Sequence, residues 1–94
     1  MNIKNEQELI AEANKLIINK DLEQAYKILS MAEVYTPFSV NSLFLIAQLA
    51  MSLKKTNNIP GHIIVLKVKR DEGIFTEKQE SDFINLIKEY QKLM

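Results

Sequence analysis

Residues able to do acid–base, nucleophilic or metal chemistry are few in this sequence of 94 residues. His62 is the only histidine, there is no cysteine, and no acidic residue lies three or four positions from His62. A metal site needs several ligands close together, and a general base needs a partner that orients it. We therefore expect His62 to have a surface or helix-capping role, with no catalytic residues and no metal site in the chain.

Charged side chains cluster in two places without forming a recognisable site. Lys67, Lys69 and Arg70 form the one basic cluster, but twelve basic residues balance twelve acidic ones, so the chain has no net field that attracts nucleic acid. The only glycines, Gly61 and Gly73, lie too far apart to build a phosphate-binding loop. Solvation of an exposed face is the expected role of four acidic residues: Glu77, Glu80, Asp82 and Glu89. The sequence predicts no enzyme, no cofactor and no nucleic-acid partner.

The composition is that of one soluble domain spanning residues 1–94, with 47% hydrophobic and 26% charged residues. A chain of this length buries only about two thirds of its unfolded surface, which leaves room for a partner to complete the core. No apolar run approaches the roughly 20 residues that span a membrane, and the start of the chain lacks the pattern of a signal peptide. Together with the lack of cysteine, these features predict a cytoplasmic protein without a membrane partner.

The most apolar stretch, Ser42 to Leu53, is the element that the rest of the chain must cover. It contains no Pro or Gly and is rich in Leu and Ala, which favours a helix. At 3.6 residues per turn one apolar stripe contains Leu43, Ile46, Ala47, Ala50 and Leu53. Phe44 and Met51, with Gln48 between them, form a second stripe. A helix that is apolar on two sides must be covered on two sides, and we expect another polypeptide to cover the second.

Capping and stop signals divide the chain into about five helices. The predicted helices run from Asn5 (with Glu8) to about Asn19, from Asp21 (with Gln24) to about Tyr35 ahead of Pro37, from Ser39 to Leu53, over 60–71, and from Thr76 (with Gln79) to about Lys92. The fourth is ambiguous, because Ile63 to Val68 is rich in the β-branched residues typical of strands. No other segment resembles a strand with which it could pair, so a helix is preferred, with Pro60 in its first turn and Gly73 after its end.

The first half of the chain resembles a tetratricopeptide (TPR) repeat. Small and large residues alternate at the offsets of that repeat, so that two helices approach closely and a large side chain fills the gap. The matching residues are Leu9, Ala13, Leu16, Ala25, Leu29, Ala32 and Pro37, followed by Leu43, Ile46, Ala47 and Ala50 in a second repeat. Glu12 departs from the pattern, and Pro60 and Gly61 displace the second repeat's other half. The resemblance therefore covers residues 6–53.

The TPR resemblance implies an all-α fold of antiparallel helix hairpins that form a short right-handed superhelix with a concave groove. First helices of successive repeats line such a groove. In this chain the groove would be lined by four apolar side chains and two amides of the first and third helices: Ile10, Asn14, Ile17, Phe44, Gln48 and Met51. Apolar side chains with an adaptable Met suit the apolar face of a partner's amphipathic helix, and the two amides suit its polar edge. The chain's own last helix is the competing occupant of the groove.

A narrower likeness is to the small TPR chaperones of type III secretion. The residues that carry it are Asp21 to Ala25 after Lys-Leu-Ile-Ile-Asn, Pro37 before the apolar helix, and Phe83-Ile84-Asn85 followed by Lys88-Glu89. In that family the TPR protein and a smaller helical co-chaperone hold the C-terminal amphipathic helix of the needle subunit. The likeness implies a bacterial hetero-oligomer in which this chain is the chaperone.

Two other functions fit the same sequence. One is a small helical-bundle inhibitor or immunity-type protein of a phage or bacterium, acting through a surface contact. The entry from Ile74, Phe75 and Thr76 into a final amphipathic helix suits such a bundle. The other is a self-associating structural protein in which Ile63 to Val68 pairs between copies as a strand, which predicts a stable homodimer.

Overall fold

Five helices make up the fold, as a computed structural model of the chain shows. It describes residues 5–94, and within that range it contains no strand. The helices are α1 (Glu6–Ile18), α2 (Leu22–Ala32), α3 (Val40–Ser52), α4 (Ile59–Asp71) and α5 (Glu77–Leu93). The prediction of an all-α fold with five helices is confirmed. So is the helical assignment of residues 60–71, since the segment from Ile63 to Val68 lies within a helix.

The predicted capping residues begin their helices. Asn5 accepts a hydrogen bond from the Glu8 amide at 2.9 Å, so one of the four unpaired N–H groups of the first turn of α1 is satisfied. Thr76 and Gln79 form a full capping box at the start of α5: the Gln79 amide donates to Thr76 Oγ1 at 3.1 Å, and the Thr76 amide donates to Gln79 Oε1 at 2.9 Å. Local sequence therefore sets these two helix starts.

The second helix ends earlier than the sequence predicts. Its last helical residue is Ala32, and residues 33–35 form a turn in which the Tyr35 and Thr36 amides both donate to the Ala32 carbonyl. The prediction of an end near Tyr35 relied on Pro37, which restricts only the residue before it. The turn carries the chain to Phe38, which is buried in the core.

The turns after α1 and α3 have the same backbone geometry. Lys20 and Lys54 both adopt a left-handed conformation, with φ of 63° and 56°. After each lysine, the next amide donates back to a carbonyl of the preceding helix: Asp21 to Leu16 at 2.8 Å, and Lys55 to Ala50 at 2.9 Å. This is the Schellman arrangement that closes a helix C-terminus. Both turns reverse the chain into the next helix.

The two turns and the two helices before them repeat with a period of 34 residues. Val40 begins α3 34 positions after Glu6 begins α1, both helices have 13 residues, and Lys54 follows Lys20 by the same 34 positions. The period is lost afterwards, because α4 begins 37 positions after α2. The segment from Lys55 to Asn58 supplies the extra residues. A 34-residue period therefore holds over α1 to α3 only.

The core lies around α3, which packs against α2, α4 and α5. Eight of its 13 residues are buried, including four of the five residues from Leu43 to Ala47, the exception being Leu45. The α1–α2 hairpin packs through small residues, since Ala13 and Ala25 are fully buried. Leu29 is fully buried beside them, as expected for a large side chain that fills the gap between two close helices.

Candidate functional site

The six predicted groove residues fall into three classes of exposure. Asn14 and Gln48 are exposed, and Ile10 and Ile17 are half-buried against the core. Phe44 and Met51 are buried, with 6% and 9% of their surfaces exposed. The expectation that Phe44 and Met51 form an open apolar surface is therefore wrong for this conformation, because the chain covers the second stripe of α3 itself.

Two aromatic side chains cover the stripe at Phe44. The rings of Phe44 and Phe75 lie 5.7 Å apart in a tilted arrangement, and Phe75 contacts Phe83 edge-on at 5.8 Å. Phe75 precedes α5 and Phe83 lies within it, so the cluster joins α3 to the last helix through the segment between them. Offset and edge-on aromatic pairs add about 0.5–1.5 kcal/mol each to the gain from burial.

Polar contacts fix the start of α5 against α3 and α4. Gln79 Nε2 donates to Asn41 Oδ1 at 3.0 Å, which joins the first turns of α5 and α3. Arg70 Nε donates to Glu80 Oε2 at 2.8 Å, and its guanidinium lies 5.8 Å from the Phe83 ring centroid. These exposed contacts contribute little individually, but they fix where α5 lies on α3.

The other end of the stripe is less completely covered. Met51 and Leu93 share an open cleft of about 330 Å³ between the end of α3 and the last turn of α5. Glu89, Lys92 and Ser52 complete its lining.

The attachment of α5 involves few apolar side chains. Phe83 and Leu86 are its only fully buried residues among 17, with Ile87, Tyr90 and Leu93 packed partly against the core. The helix is otherwise polar. The second stripe of α3 thus binds an amphipathic helix, and in this structure that helix is the chain's own.

A chain of hydrogen bonds connects α2 to the start of α4. Asn58 Nδ2 donates to the Tyr26 hydroxyl oxygen at 3.3 Å, and that hydroxyl lies 2.8 Å from His62 Nε2. Because the Tyr26 oxygen accepts from Asn58, its proton is available to Nε2, which leaves the ring proton of a neutral His62 on Nδ1. Nδ1 faces the Glu33 carboxylate at 3.9 Å. Every member of this chain has a partner.

Burial lowers the pKa of His62 from its ordinary value, and the nearby Glu33 carboxylate offsets part of that effect. The prediction of a surface or capping role for His62 is wrong. Its contacts lie 29 and 36 positions away in the sequence, at Glu33 and Tyr26, so no local pattern could have revealed them. The arrangement stabilises the junction between α2 and α4, and Glu33 is the only acidic side chain within residues 5–94 that it brings to the ring, too few groups for a metal site.

An ion pair lies beside this chain of hydrogen bonds. Lys55 Nζ donates to Glu23 Oε1 at 2.6 Å and lies 5.3 Å from the Tyr26 ring centroid. Both contacts border an open cleft of about 510 Å³ along the outer face of α2. The cleft contains both charge signs and no concentrated charge that would select a ligand.

The basic cluster of the sequence is engaged with neighbouring acidic groups. Arg70 pairs with Glu80, and Lys69 Nζ lies 3.9 Å from Glu72. These pairs agree with the expectation of a solvated charged face. Among residues 5–94 no group of three His, Asp or Glu side chains is arranged to hold a metal ion.

Large apolar side chains remain exposed at several places outside the predicted groove, and two sets of them are grouped. Met31, Val34 and Tyr35, at the end of α2, have between 62% and 80% of their surfaces exposed. Ile64 and Val68 of α4 are 61% and 50% exposed. Neither set was predicted to be exposed, although the spacing of Ile64 and Val68 places them on one helix face.

Comparisons with known proteins do not assign the chain to a family. No protein-family model matches it, and neither a curated protein nor a solved structure matches it significantly. Within residues 5–94, every helix is too short or too polar to cross a membrane.

Proposed function

We propose that this protein is a TPR-like adaptor or chaperone that binds an amphipathic helix of a protein partner on the second stripe of α3. The proposal is based mainly on the position of α5 relative to α3. An amphipathic helix already lies on that stripe, attached mainly through Phe83 and Leu86. A partner helix with a larger apolar face would compete for the same surface.

The TPR-like part of the proposal is supported by the 34-residue period of α1 and α3, which is the length of a TPR repeat. Identical turns at Lys20 and Lys54 and the small residues between α1 and α2 add to that support. A short right-handed superhelix, with α1, α3 and α5 along its concave side, is the arrangement we propose.

In the bound state α5 leaves the stripe, and Phe44 and Met51 contact the partner instead. Ile10 and Ile17 extend the apolar surface, and the exposed amides of Asn14 and Gln48 hydrogen-bond the polar edge of the partner helix. The resemblance to type III secretion chaperones gives the specific form of this proposal: a cytoplasmic, bacterial hetero-oligomer with a needle subunit and a small helical co-chaperone.

The test is to prevent α5 from moving. Asn41 and Gln79 face each other at 3.0 Å, and the natural chain has no cysteine. The double variant Asn41→Cys, Gln79→Cys can therefore be bridged by a short thiol-reactive crosslinker. We expect the bridged protein to lose partner binding while the unbridged double variant, with the same two substitutions, retains it. Equal binding by both forms would place the partner elsewhere.

A helical-bundle inhibitor or immunity-type protein is the second candidate. It is favoured by the burial of Phe44 and Met51 together with the exposure of Val34 and Tyr35 at the end of α2. This candidate predicts the opposite result: the α5 crosslink leaves partner binding unchanged, whereas Tyr35→Asp abolishes it.

A further inference from the structure

The fourth helix has an apolar face that nothing in residues 5–94 covers. Ile59 and Leu66 point into the core and are fully buried. On the opposite side, Pro60, Ile64 and Val68 follow one another at intervals of four residues, and all three are exposed. A helix with apolar residues on opposite sides normally packs on both.

Gly61 lies on the same outer face and has no role inside the chain. A Cβ at Gly61 would meet nothing within 4 Å, and the residue is helical, so neither crowding nor backbone conformation requires glycine. Glycine in a helix costs up to about 1 kcal/mol relative to alanine. Gly61, Ile64 and Val68 are spaced by three and then four residues, which is the spacing of residues along the contact line between two packed helices. Because Gly61 has no side chain, a second helix could approach α4 closely at this position.

We propose that this face, Pro60, Gly61, Ile64 and Val68, is a docking surface for α4 of a second copy of the chain, with the two helices antiparallel about a two-fold axis between Ile64 and Val65. The proposal goes beyond the adaptor function and uses a different face from the stripe of α3.

The distribution of charge along α4 favours α4 of a second copy as the partner and favours the antiparallel direction. The start of the helix is uncharged from Thr56 to Gly61, no acidic residue lies in its first turn, and the N-cap Asn58 makes no side-chain capping bond. In the last turn, Lys69 pairs with Glu72 and Arg70 pairs with Glu80, whereas Asp71 is exposed and lies seven positions after Ile64, on the same face. In the antiparallel pair, Asp71 of one copy lies opposite Asn58 of the other, so its carboxylate meets the positive end of the partner's helix dipole.

A parallel pair would be opposed by the same charges. It would place Lys67, Asp71 and Glu72 beside their own counterparts, and like charges brought together destabilise a helix pair. An isologous antiparallel contact also closes after two copies, because both copies use the same face of α4.

The expected dimer is reversible, because a 13-residue helix is only about 20 Å long and a pair of such helices lies at the small end of specific interfaces. Sedimentation velocity of the full chain from about 1 to about 300 µM tests it, a range centred on affinities typical of small interfaces. We expect a monomer–dimer equilibrium that Ile64→Lys weakens at least about tenfold, without loss of helical circular dichroism. Ile18→Lys, on the exposed end of α1, is the matched control and leaves the equilibrium unchanged.

Single cysteines test the direction of the pair, since the natural chain has none. Ile64→Cys lies near the proposed axis and should form an intermolecular disulfide on mild oxidation. Asp71→Cys should not, because the two copies of that position lie about 20 Å apart in an antiparallel pair. A monomer throughout the concentration range, equal effects of Ile64→Lys and Ile18→Lys, or efficient crosslinking through Asp71→Cys would each overturn the proposal.

Discussion

The Tyr26 hydroxyl lies 2.8 Å from Nε2 of His62 and joins α2 to α4 across 36 positions of sequence. The two rings also meet edge-on, with centroids 5.7 Å apart. Because burial lowers the pKa of the half-buried His62, the contact links the stability of the fold to pH.

Acidification is expected to destabilise the junction between α2 and α4. Burial holds the pKa of His62 below its unfolded value near 6.5, so the unfolded chain binds the proton more readily. The contribution of neutral His62 is therefore present above about pH 6.5 and is lost as the pH falls toward the folded pKa. Urea denaturation at pH 7.5 and 5.5 measures the free energy of unfolding at the two pH values. His62→Gln should show a smaller difference between the two pH values than the natural protein, and an equal difference would contradict the linkage.

Substitution of a side chain in the buried stripe is expected to destabilise the protein. Phe44→Ala should lower the free energy of unfolding by about 3–5 kcal/mol, because Phe44 packs against Phe75 under the cover of α5. Gln48→Ala, on the same helix between Phe44 and Met51, is exposed and should change it by less than about 0.5 kcal/mol. Thermal melts followed by circular dichroism compare the two. Similar melts for both variants would show that the stripe is not part of the core.

The two glycines are expected to respond in opposite directions to alanine. Gly73 has φ of 79° after the end of α4, a conformation that costs other residues about 1–2 kcal/mol, so Gly73→Ala should destabilise the fold by about that amount. Gly61→Ala should stabilise the isolated chain by up to about 1 kcal/mol, since the added methyl group meets no neighbour. Chemical denaturation measures the free energy of unfolding of each variant, and a low protein concentration keeps the chain monomeric. Destabilisation by Gly61→Ala would reveal an internal role for that glycine.

The sequence predicted the features that depend on neighbouring residues. Asn5, Asp21 and Thr76 each accept the expected amide at a helix start, because capping requires only the next three residues. Gly73 ends α4 for the same local reason. The strand-like composition of Ile63 to Val68 was misleading because its β-branched residues serve two faces of one helix. Ile63 and Val65 pack partly against the core on one side, and Ile64 and Val68 are exposed on the other.

Long-range contacts could not be predicted in the same way. The spacing within α3 revealed that Phe44 and Met51 form a second stripe, but it could not reveal which segment covers them. That outcome depends on where the fold places Phe75 and Phe83 relative to Phe44. The same limit applies to His62, whose partner Tyr26 is on a different helix. Exposure was simplest to predict for the amides Asn14 and Gln48, since polar side chains on a helix surface need no partner within the chain.

The measurement that most directly tests the adaptor proposal is partner capture with α5 fixed and free. Asn41→Cys, Gln79→Cys protein, with and without the crosslinker, is incubated with extract from the source cells, and bound proteins are identified and quantified by mass spectrometry. We predict that the unbridged form retains a protein with an amphipathic helix in a stoichiometric amount, and that the bridged form loses it. Equal recovery by the two forms, or no stoichiometric partner with either, would contradict the proposal.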